Sequence, residues 1–134
     1  MESDAGPRGL IGVRLLGSGL AARHCAAGDS VLGYDLVPGR RLGAGTAQQV
    51  VSACRTIVLC LPTSEVVAEV LGEIQLTAGT TVIDCTTGEP ETMTAMGVKL
   101  AKSGIDYLDA TVLGSSRVVR SGAAVVMAGG RRQA

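Results

Sequence analysis

The chain has 134 residues, its twelve basic and twelve acidic side chains cancel at neutral pH, and it contains no Phe or Trp. The balanced charge and the lack of an aromatic platform exclude an extended nucleic-acid interface, and no apolar run is long enough to span a membrane. We therefore expect a single cytoplasmic domain with an aliphatic core, no nucleic-acid partner and no membrane association.

Apolar runs alternate with helix-like segments along the chain. Strands are predicted at 10–11, 30–34, 56–61, 80–85, 105–108 and 123–127, and helices at 15–27, 47–54, 64–71 and 90–103. We expect Ser64 to cap the third helix and Pro90 to begin the fourth. Continuous apolar strands that alternate with helices indicate crossovers onto a parallel sheet. The predicted fold is therefore α/β: a Rossmann-type, doubly wound, mostly parallel sheet with helices on both faces.

The predicted dinucleotide-binding domain occupies residues 9–130. Residues 1–8 are polar and lack the apolar stretch of a signal peptide, so we expect a disordered N-terminal segment there. Residues 131–134 follow the last strand abruptly and are interpreted as a truncated tail.

Four cysteines stand at positions 25, 54, 60 and 85, and none of them forms a CxxC pair. With a single histidine in the chain, this spacing does not predict a zinc site or any other metal site. Three of the cysteines lie within or beside apolar runs, so we expect buried free thiols in a reducing compartment.

A glycine turn follows the first predicted strand. Gly12 and Gly17 occupy the first and third glycine positions of the dinucleotide fingerprint G-x-G-x-x-G, and Arg14 occupies the second. The first glycine permits the tight turn, the third allows close packing of the helix, and the free amides at the helix start attract a pyrophosphate. Asp35 lies 23 residues after Gly12, where an acid accepts hydrogen bonds from the adenosine ribose and repels a 2′-phosphate. The pattern predicts NAD as the cofactor and disfavours NADP.

Two features of this turn leave alternatives. Gly17-Ser18-Gly19 begins a second match, G-x-G-x-x-A, but it leaves only 18 residues before Asp35 and therefore too short a helix. A side chain at Arg14 must point away from the pyrophosphate or displace it, and a positive φ there would cost about 1–2 kcal/mol. Pairing with a phosphate would offset part of that cost. We expect weakened binding at a site that includes Arg14, Leu15 and Leu16.

Five motifs in chain order resemble those of the β-hydroxyacid dehydrogenases of the 3-hydroxyisobutyrate, tartronate semialdehyde and threonate dehydrogenase types. They are IGVRLLGSGLA at 11–21, LPTS at 61–64, DCTTGEP at 84–90, LDATVLGSS at 108–116 and SGAAVVMAGG at 121–130. The resemblance implies that Leu61 and Pro62 line the nucleotide and that Thr87 lies near the nicotinamide ribose. It implies binding of a substrate carboxylate at Leu113, Gly114 and Ser115, although Leu113 stands where the family has serine.

Two further departures concern the architecture of that family. Between Asp35 and Ala47 the chain is shorter than the family norm by roughly ten residues, which removes most of a helix and the third strand. The family's catalytic Lys, its Asn neighbour and its helical C-terminal domain have no counterpart in the sequence. We therefore expect no catalytic residue in this chain, and we expect an apolar face that favours self-association.

The resemblance thus implies the NAD(P)-binding domain of an oxidoreductase that transfers hydride between nicotinamide and a small β-hydroxy acid. We expect this chain to be inactive alone. Lys99 and Lys102 lie on the helix after Pro90, His24 lies on the first helix, and Tyr107 lacks the Y-x-x-x-K arrangement, so none is expected to be catalytic. The alternative is a degenerate Rossmann-fold binding or interaction module without catalysis.

Overall fold

The computed structural model describes residues 6–113, 116–122 and 125–129. Its elements in chain order are β1 (Arg8–Ile11), α1 (Leu15–Ala26), β2 (Val31–Tyr34), α2 (Ala47–Ala53), β3 (Thr56–Leu59), α3 (Ser64–Glu73), β4 (Thr81–Asp84), α4 (Pro90–Ala101), β5 (Asp106–Leu113), α5 (Ser116–Ser121) and β6 (Val125–Gly129). The strands form one sheet in the order β2-β1-β3-β4-β5-β6. Every neighbouring pair is parallel except β5 and β6. The predicted doubly wound, mostly parallel sheet is confirmed.

Two aliphatic cores form because successive strand residues point to opposite faces of the sheet. On one face α2, α3 and α4 cover the sheet, and on the other face α1 does so with α5 packed beside it. The first core includes Ile11, Val50, Val51, Ile57, Leu59, Val67, Val82, Met96 and Ile105, and the second contains Leu10, Val13, Ala21, Val58, Cys85 and Ala110. Helices cover both faces, and ligands of such sheets bind outside the carboxyl ends of the strands.

The N-terminus of α3 differs from the prediction. Thr63, in an extended conformation, is the N-cap, and its Oγ1 accepts a hydrogen bond from the Val66 amide at 3.2 Å. Ser64 is already the first helical residue and is buried, so its predicted role as the cap is wrong. A capping residue must lie outside the helix for its side chain to reach back to the first free amides. Pro90 does begin α4, as predicted.

The connection between β2 and α2 is short, as expected. It contains one 3-10 turn, Pro38–Arg40, and an isolated parallel bridge between Gly33 and Gly43. Next to this bridge, the backbones of Gly33 and Leu42 exchange two hydrogen bonds of 2.8 and 2.9 Å. Within the described part of the chain, β2 is therefore the edge strand, and only this bridge continues the sheet beyond it. Leu36, at the start of the connection, is 83% exposed.

Some strand boundaries in the structure differ from the predicted ones, and other predicted boundaries fall on residues that the structure does not describe. The third strand ends at Leu59 instead of Leu61, and the fifth continues to Leu113. Residues 123 and 124 of the predicted last strand lie outside the described residues, as do 1–5 and 130–134. The predicted disordered segment of residues 1–8 overlaps β1, which begins at Arg8. Disorder of residues 1–5 and the truncated tail stay predictions. None of the helices within the described ranges has the length and apolar character that a membrane crossing requires.

Candidate functional site

The glycine turn lies where the winding of the sheet reverses. From β1 the chain crosses to β2 on one side, and β3 then pairs with the other side of β1. Ligands of such sheets bind outside the carboxyl ends of the strands at this point. Gly12 follows β1 directly, and an ideal Cβ on Gly12 would stand 2.1 Å from the carbonyl oxygen of Cys60, which follows β3. The turn is therefore packed against the end of the neighbouring strand.

Both fingerprint glycines are required by the geometry of this turn. Gly12 has a φ of +95°, in the region that side chains disfavour. Gly17 lies in the first turn of α1, where an ideal Cβ would stand 1.9 Å from the carbonyl oxygen of Gly12. Gly19 lies inside the same helix. The structure therefore favours the fingerprint that begins at Gly12 over the one that begins at Gly17.

Arg14 is accommodated without backbone strain. It is the N-cap of α1, with φ −80° and ψ −146°, and it is exposed. The cost that a positive φ would have imposed is therefore absent. The first intrahelical hydrogen bond beyond the cap runs from the Ser18 amide to the Arg14 carbonyl at 2.8 Å. The amides of Leu15, Leu16 and Gly17 precede it and are the first-turn donors that attract an anion.

Asp35 holds the glycine turn in place. Its Oδ2 accepts a hydrogen bond from the Val13 amide at 2.9 Å, and its Oδ1 accepts one from the Val37 amide at 2.8 Å. The side chain is 11% exposed. Each carboxylate oxygen has two acceptor positions, so capacity remains for the hydroxyls of a ribose. The sequence predicted the ribose role but not the contact with Val13.

Two arginines surround the end of β2, and sequence reasoning missed both. Arg40 Nη1 lies 3.9 Å from the Asp35 carboxylate, and Arg41 Nε donates to the Asp35 carbonyl oxygen at 2.9 Å. The Arg41 guanidinium also lies 4.8 Å from the centre of the Tyr34 ring. The sequence could have indicated them, because two adjacent arginines follow Asp35 closely. These charges partly neutralise Asp35 at the position where an adenosine ribose would bind.

The loops after β3 and β4 meet at the same edge of the sheet. The Leu61 amide donates to Thr86 Oγ1 at 3.0 Å, while Pro62 and Thr87 are exposed. Leu61 is half-buried against the core. The structure therefore brings the predicted Leu61, Pro62 and Thr87 to one edge, and it assigns the connection between the loops to Thr86. Sequence reasoning missed Thr86 because two adjacent threonines offer the same hydroxyl.

Asp84 anchors the second of these loops from inside the protein. Its carboxylate is fully buried, and it accepts hydrogen bonds from the Thr86 amide at 2.9 Å and from Tyr107 Oη at 2.5 Å. Burial, reinforced by the hydrogen bond to Asp84, raises the pKa of Tyr107 above its ordinary range, so its hydroxyl remains a donor. A continuous path of hydrogen bonds thus joins Tyr107, Asp84, Thr86 and Leu61.

A second carboxylate, Asp109, lies opposite Asp84 in the register of β4 and β5. Burial, together with the Asp84 charge, raises the pKa of Asp109 above its ordinary value of 3.8. A pKa that is raised on folding means that stability is lost as the pH rises through it. We expect Asp109→Asn to raise the melting temperature at neutral pH, and we expect the gain to shrink as the pH falls through the raised pKa and to vanish below 3.8.

Thermal unfolding followed by circular dichroism across this pH range measures the effect. Glu69→Gln, on the exposed surface of α3, removes the same charge without relieving burial and serves as the control. An Asp109→Asn protein that melts at or below the wild-type temperature at neutral pH would contradict the argument.

Other predicted residues lie apart from this edge or outside the described residues. Leu113, at the end of β5, is 48% exposed, while Gly114 and Ser115 fall outside the described ranges. Lys99 stands near the end of α4, and His24 in the last turn of α1 pairs with Asp29 at 2.9 Å. Within the described residues, no group of three or more His, Cys, Asp or Glu side chains could hold a metal ion. The site is therefore built from backbone amides, glycines and single polar side chains.

Comparison with known proteins places this geometry in context. The sequence profile described as the NAD binding domain of 6-phosphogluconate dehydrogenase matches residues 8–134. A 2-(hydroxymethyl)glutarate dehydrogenase from Eubacterium barkeri is 28% identical over 90% of this chain and 44% of its own length. The cytokine-like nuclear factor N-PAC of Mus musculus is 26% identical over 92% of this chain and 24% of its own length.

The fold is shared with solved dehydrogenases. The 3-hydroxyisobutyrate dehydrogenase of Mycobacterium tuberculosis, solved with L-serine, superposes with a TM-score of 0.89 at 22% identity, covering 96% of this chain and 47% of that one. This chain therefore spans less than half the length of each of these proteins. The likenesses agree with the resemblance that the five motifs predicted.

Proposed function

The chain belongs to the family of the NAD binding domain of 6-phosphogluconate dehydrogenase, and from that premise we propose that its glycine turn binds NAD as part of a 3-hydroxyisobutyrate dehydrogenase-like oxidoreductase. The observation that carries the proposal is the 2.9 Å hydrogen bond from the Val13 amide to Asp35. It joins the glycine turn after β1 to the acid after β2, which are the two parts of a dinucleotide site. When bound, NAD supplies the hydride acceptor of the reaction.

The residues at the carboxyl edge fit the parts of this cofactor. The amides of Leu15, Leu16 and Gly17 would face the pyrophosphate, with the positive end of α1 behind them. The exposed guanidinium of Arg14 adds a charge that pairs with phosphate. Asp35 would accept the adenosine ribose hydroxyls, and the loops held together by Thr86 would lie along the nicotinamide half.

The preference for NAD over NADP depends on the charge of Asp35. We expect Asp35→Asn to weaken NADH binding by about 10-fold to 100-fold, because hydrogen bonds to charged groups contribute about 1.5–3 kcal/mol. NADPH should lose less affinity or gain some, because the repulsion of the 2′-phosphate disappears while Arg40 and Arg41 remain. Calorimetric titration of each variant with NADH and NADPH measures the ratio.

A matched control is available at the opposite edge of the sheet. Asp29→Asn makes the same change in charge beside Arg8 and His24, at the amino ends of the strands. It should leave both affinities unchanged. An equal loss of NADH and NADPH affinity in Asp35→Asn would contradict the specificity argument, although not dinucleotide binding itself.

Catalysis requires residues beyond those described here, and the chain alone is proposed to be inactive. α4 begins after the carboxyl end of β4 and runs back to Ala101, so Lys99 and Lys102 lie toward the amino edge of the sheet. Neither can reach an atom that reacts at the carboxyl edge. Steady-state assays with NAD and small β-hydroxy acids, followed by absorbance of the reduced nicotinamide, should give no rate above buffer. A measurable rate would refute the proposed inactivity.

A non-catalytic binding module is the second candidate function. Arg14 at the second glycine position and the proximity of the Arg40 guanidinium to the Asp35 carboxylate favour it. One relative, moreover, is named a cytokine-like nuclear factor. A reduced protein that shows no heat or fluorescence change with NADH at millimolar concentration would favour this candidate over the first.

Three further expectations stay predictions at this point. The prediction of a small hydroxy acid as second ligand depends on Leu113, Gly114 and Ser115, of which the structure describes only Leu113.

The prediction of self-association depends on exposed apolar side chains such as Leu113 and Val126, which are 48% and 55% exposed. Sedimentation velocity over a range of protein concentrations tests self-association. A cytoplasmic location rests on the composition of the sequence alone.

A further inference from the structure

Two cysteines lie side by side at the carboxyl edge of the sheet. The parallel register pairs Leu59 with Asp84, so Cys60 and Cys85 occupy the next position of the neighbouring strands β3 and β4. The Cys85 amide donates to the Leu59 carbonyl at 2.8 Å, which continues the pairing past the last strand residue. Neighbouring strands lie about 4.8 Å apart, and disulfides span Cα separations of about 4.4–6.8 Å. The backbone spacing therefore suits a disulfide.

The two thiols also face the same side of the sheet. Cys85 is part of the core beneath α1, Cys60 packs against that core, and both are free cysteines. A hydrogen bond between the two thiols raises the pKa of Cys60 and lowers that of Cys85. These directions favour Cys85 as the thiol that ionises first, which would make its sulfur the nucleophile and Cys60 the resolving thiol.

Both cysteines border the candidate dinucleotide site. The carbonyl oxygen of Cys60 is the atom that would clash with a side chain at Gly12. The Cβ of Cys60 would lie 3.6 Å from an ideal Cβ on Gly17. Cys85 immediately precedes Thr86, whose hydroxyl accepts the Leu61 amide. A change in the position of either sulfur is therefore transmitted to the glycine turn or to the loop after β4.

We infer that Cys60 and Cys85 form a reversible disulfide that weakens dinucleotide binding at the adjacent glycine turn. The effect on binding rests on the function proposed above, whereas the disulfide itself does not. A covalent S–S bond of about 2.05 Å is shorter than any hydrogen bond between thiols. Its formation draws the Cys60 side chain toward β4 and away from the packing beneath Gly17.

The oxidant is a peroxide, and the reaction balances in two steps. The Cys85 sulfur attacks one peroxide oxygen, the O–O bond breaks, and a sulfenic acid forms with release of water. The Cys60 sulfur then attacks the Cys85 sulfur, the S–O bond breaks, and a second water leaves as the S–S bond forms. The two thiols lose two electrons and two protons, and the peroxide is reduced to two water molecules.

The experiment uses Cys25→Ser as the background, because Cys25 is exposed and could otherwise join two copies of the chain. The protein is titrated with hydrogen peroxide, and its mass, free thiols and cysteine-linked peptides are measured. We expect the loss of two hydrogens, a peptide that links Cys60 to Cys85, and full reversal by dithiothreitol. The Kd for NADH should rise by about tenfold or more in the oxidised form.

Cys85→Ser and Cys85→Ala in the same background are the matched controls, and each is compared with itself before and after peroxide. Neither should form the linkage or change its affinity on oxidation. Absence of the Cys60–Cys85 peptide in the parent, or a linkage through Cys54, overturns the disulfide. A linkage with unchanged Kd overturns its effect on binding. A linkage in a protein that never binds NADH in its reduced form instead refutes the proposed function and leaves the disulfide standing.

Discussion

Replacing Gly12 with alanine should lower the free energy of unfolding by about 2–5 kcal/mol and eliminate measurable NADH binding. Two costs combine at this position. A side chain at a φ of +95° is strained, and its Cβ would stand 2.1 Å from the Cys60 carbonyl oxygen. Because the obstacle is backbone of the neighbouring strand, it cannot rotate away, and the end of β1 must separate from the end of β3.

Gly79→Ala is the control that separates backbone strain from the steric cost at Gly12. Gly79 has a φ of +93°, almost the value at Gly12, but nothing lies within 4 Å of an ideal Cβ there. It should therefore show only the backbone strain, about 1–2 kcal/mol, and it should retain NADH binding. Urea unfolding gives the stabilities, and calorimetry gives the affinities. Equal losses in the two variants would show that contact with Cys60 does not govern the turn.

Replacing Asp84 with alanine should lower the free energy of unfolding by about 2–4 kcal/mol, because two donors lose their acceptor. The Thr86 amide would be left unpaired inside the protein, and the Tyr107 hydroxyl would lose its only described acceptor. Thr86 holds the loop after β3 through the Leu61 amide. We therefore expect weakened NADH binding together with the loss of stability.

Asp109→Ala is the matched control for this substitution. Asp109 lies directly opposite Asp84 in the adjacent strand, and the change of side chain is the same. Its pKa is raised by burial and by the Asp84 charge, so its ionised form costs stability at neutral pH. Asp109→Ala should consequently leave the urea midpoint unchanged or raise it. If Asp109→Ala lost as much stability as Asp84→Ala, the loss would come from the missing side-chain volume and not from the hydrogen bonds of Asp84.

The candidate site could be predicted in part because some of its elements are local. Gly12 and Gly17 serve a turn and the helix that follows it, and the sequence around them specifies both. Asp35 was placed correctly at the end of β2 because an apolar strand leads to it. By contrast, the choice of Thr63 over Ser64 as helix cap depends on which residue first adopts helical dihedral angles, and adjacent hydroxyl residues do not distinguish these.

The fold class was predicted from the sequence alone, and so was the edge of the sheet at which the candidate site lies. Apolar runs with helical segments between them require buried parallel strands with helices on both faces, and a glycine turn followed by an acid marks the carboxyl edge. Family membership confirmed what five short motifs in order had predicted.

Only the tertiary structure decided which side chains meet at that edge. The contacts of Val13 with Asp35, of Tyr107 with Asp84 and of Cys60 with Cys85 all join different strands or the loops that follow them. Each depends on strand order and register, which position residues distant in sequence within a few ångströms of one another. Register is fixed by the packing of two whole faces, so no local pattern within a single segment could have specified it.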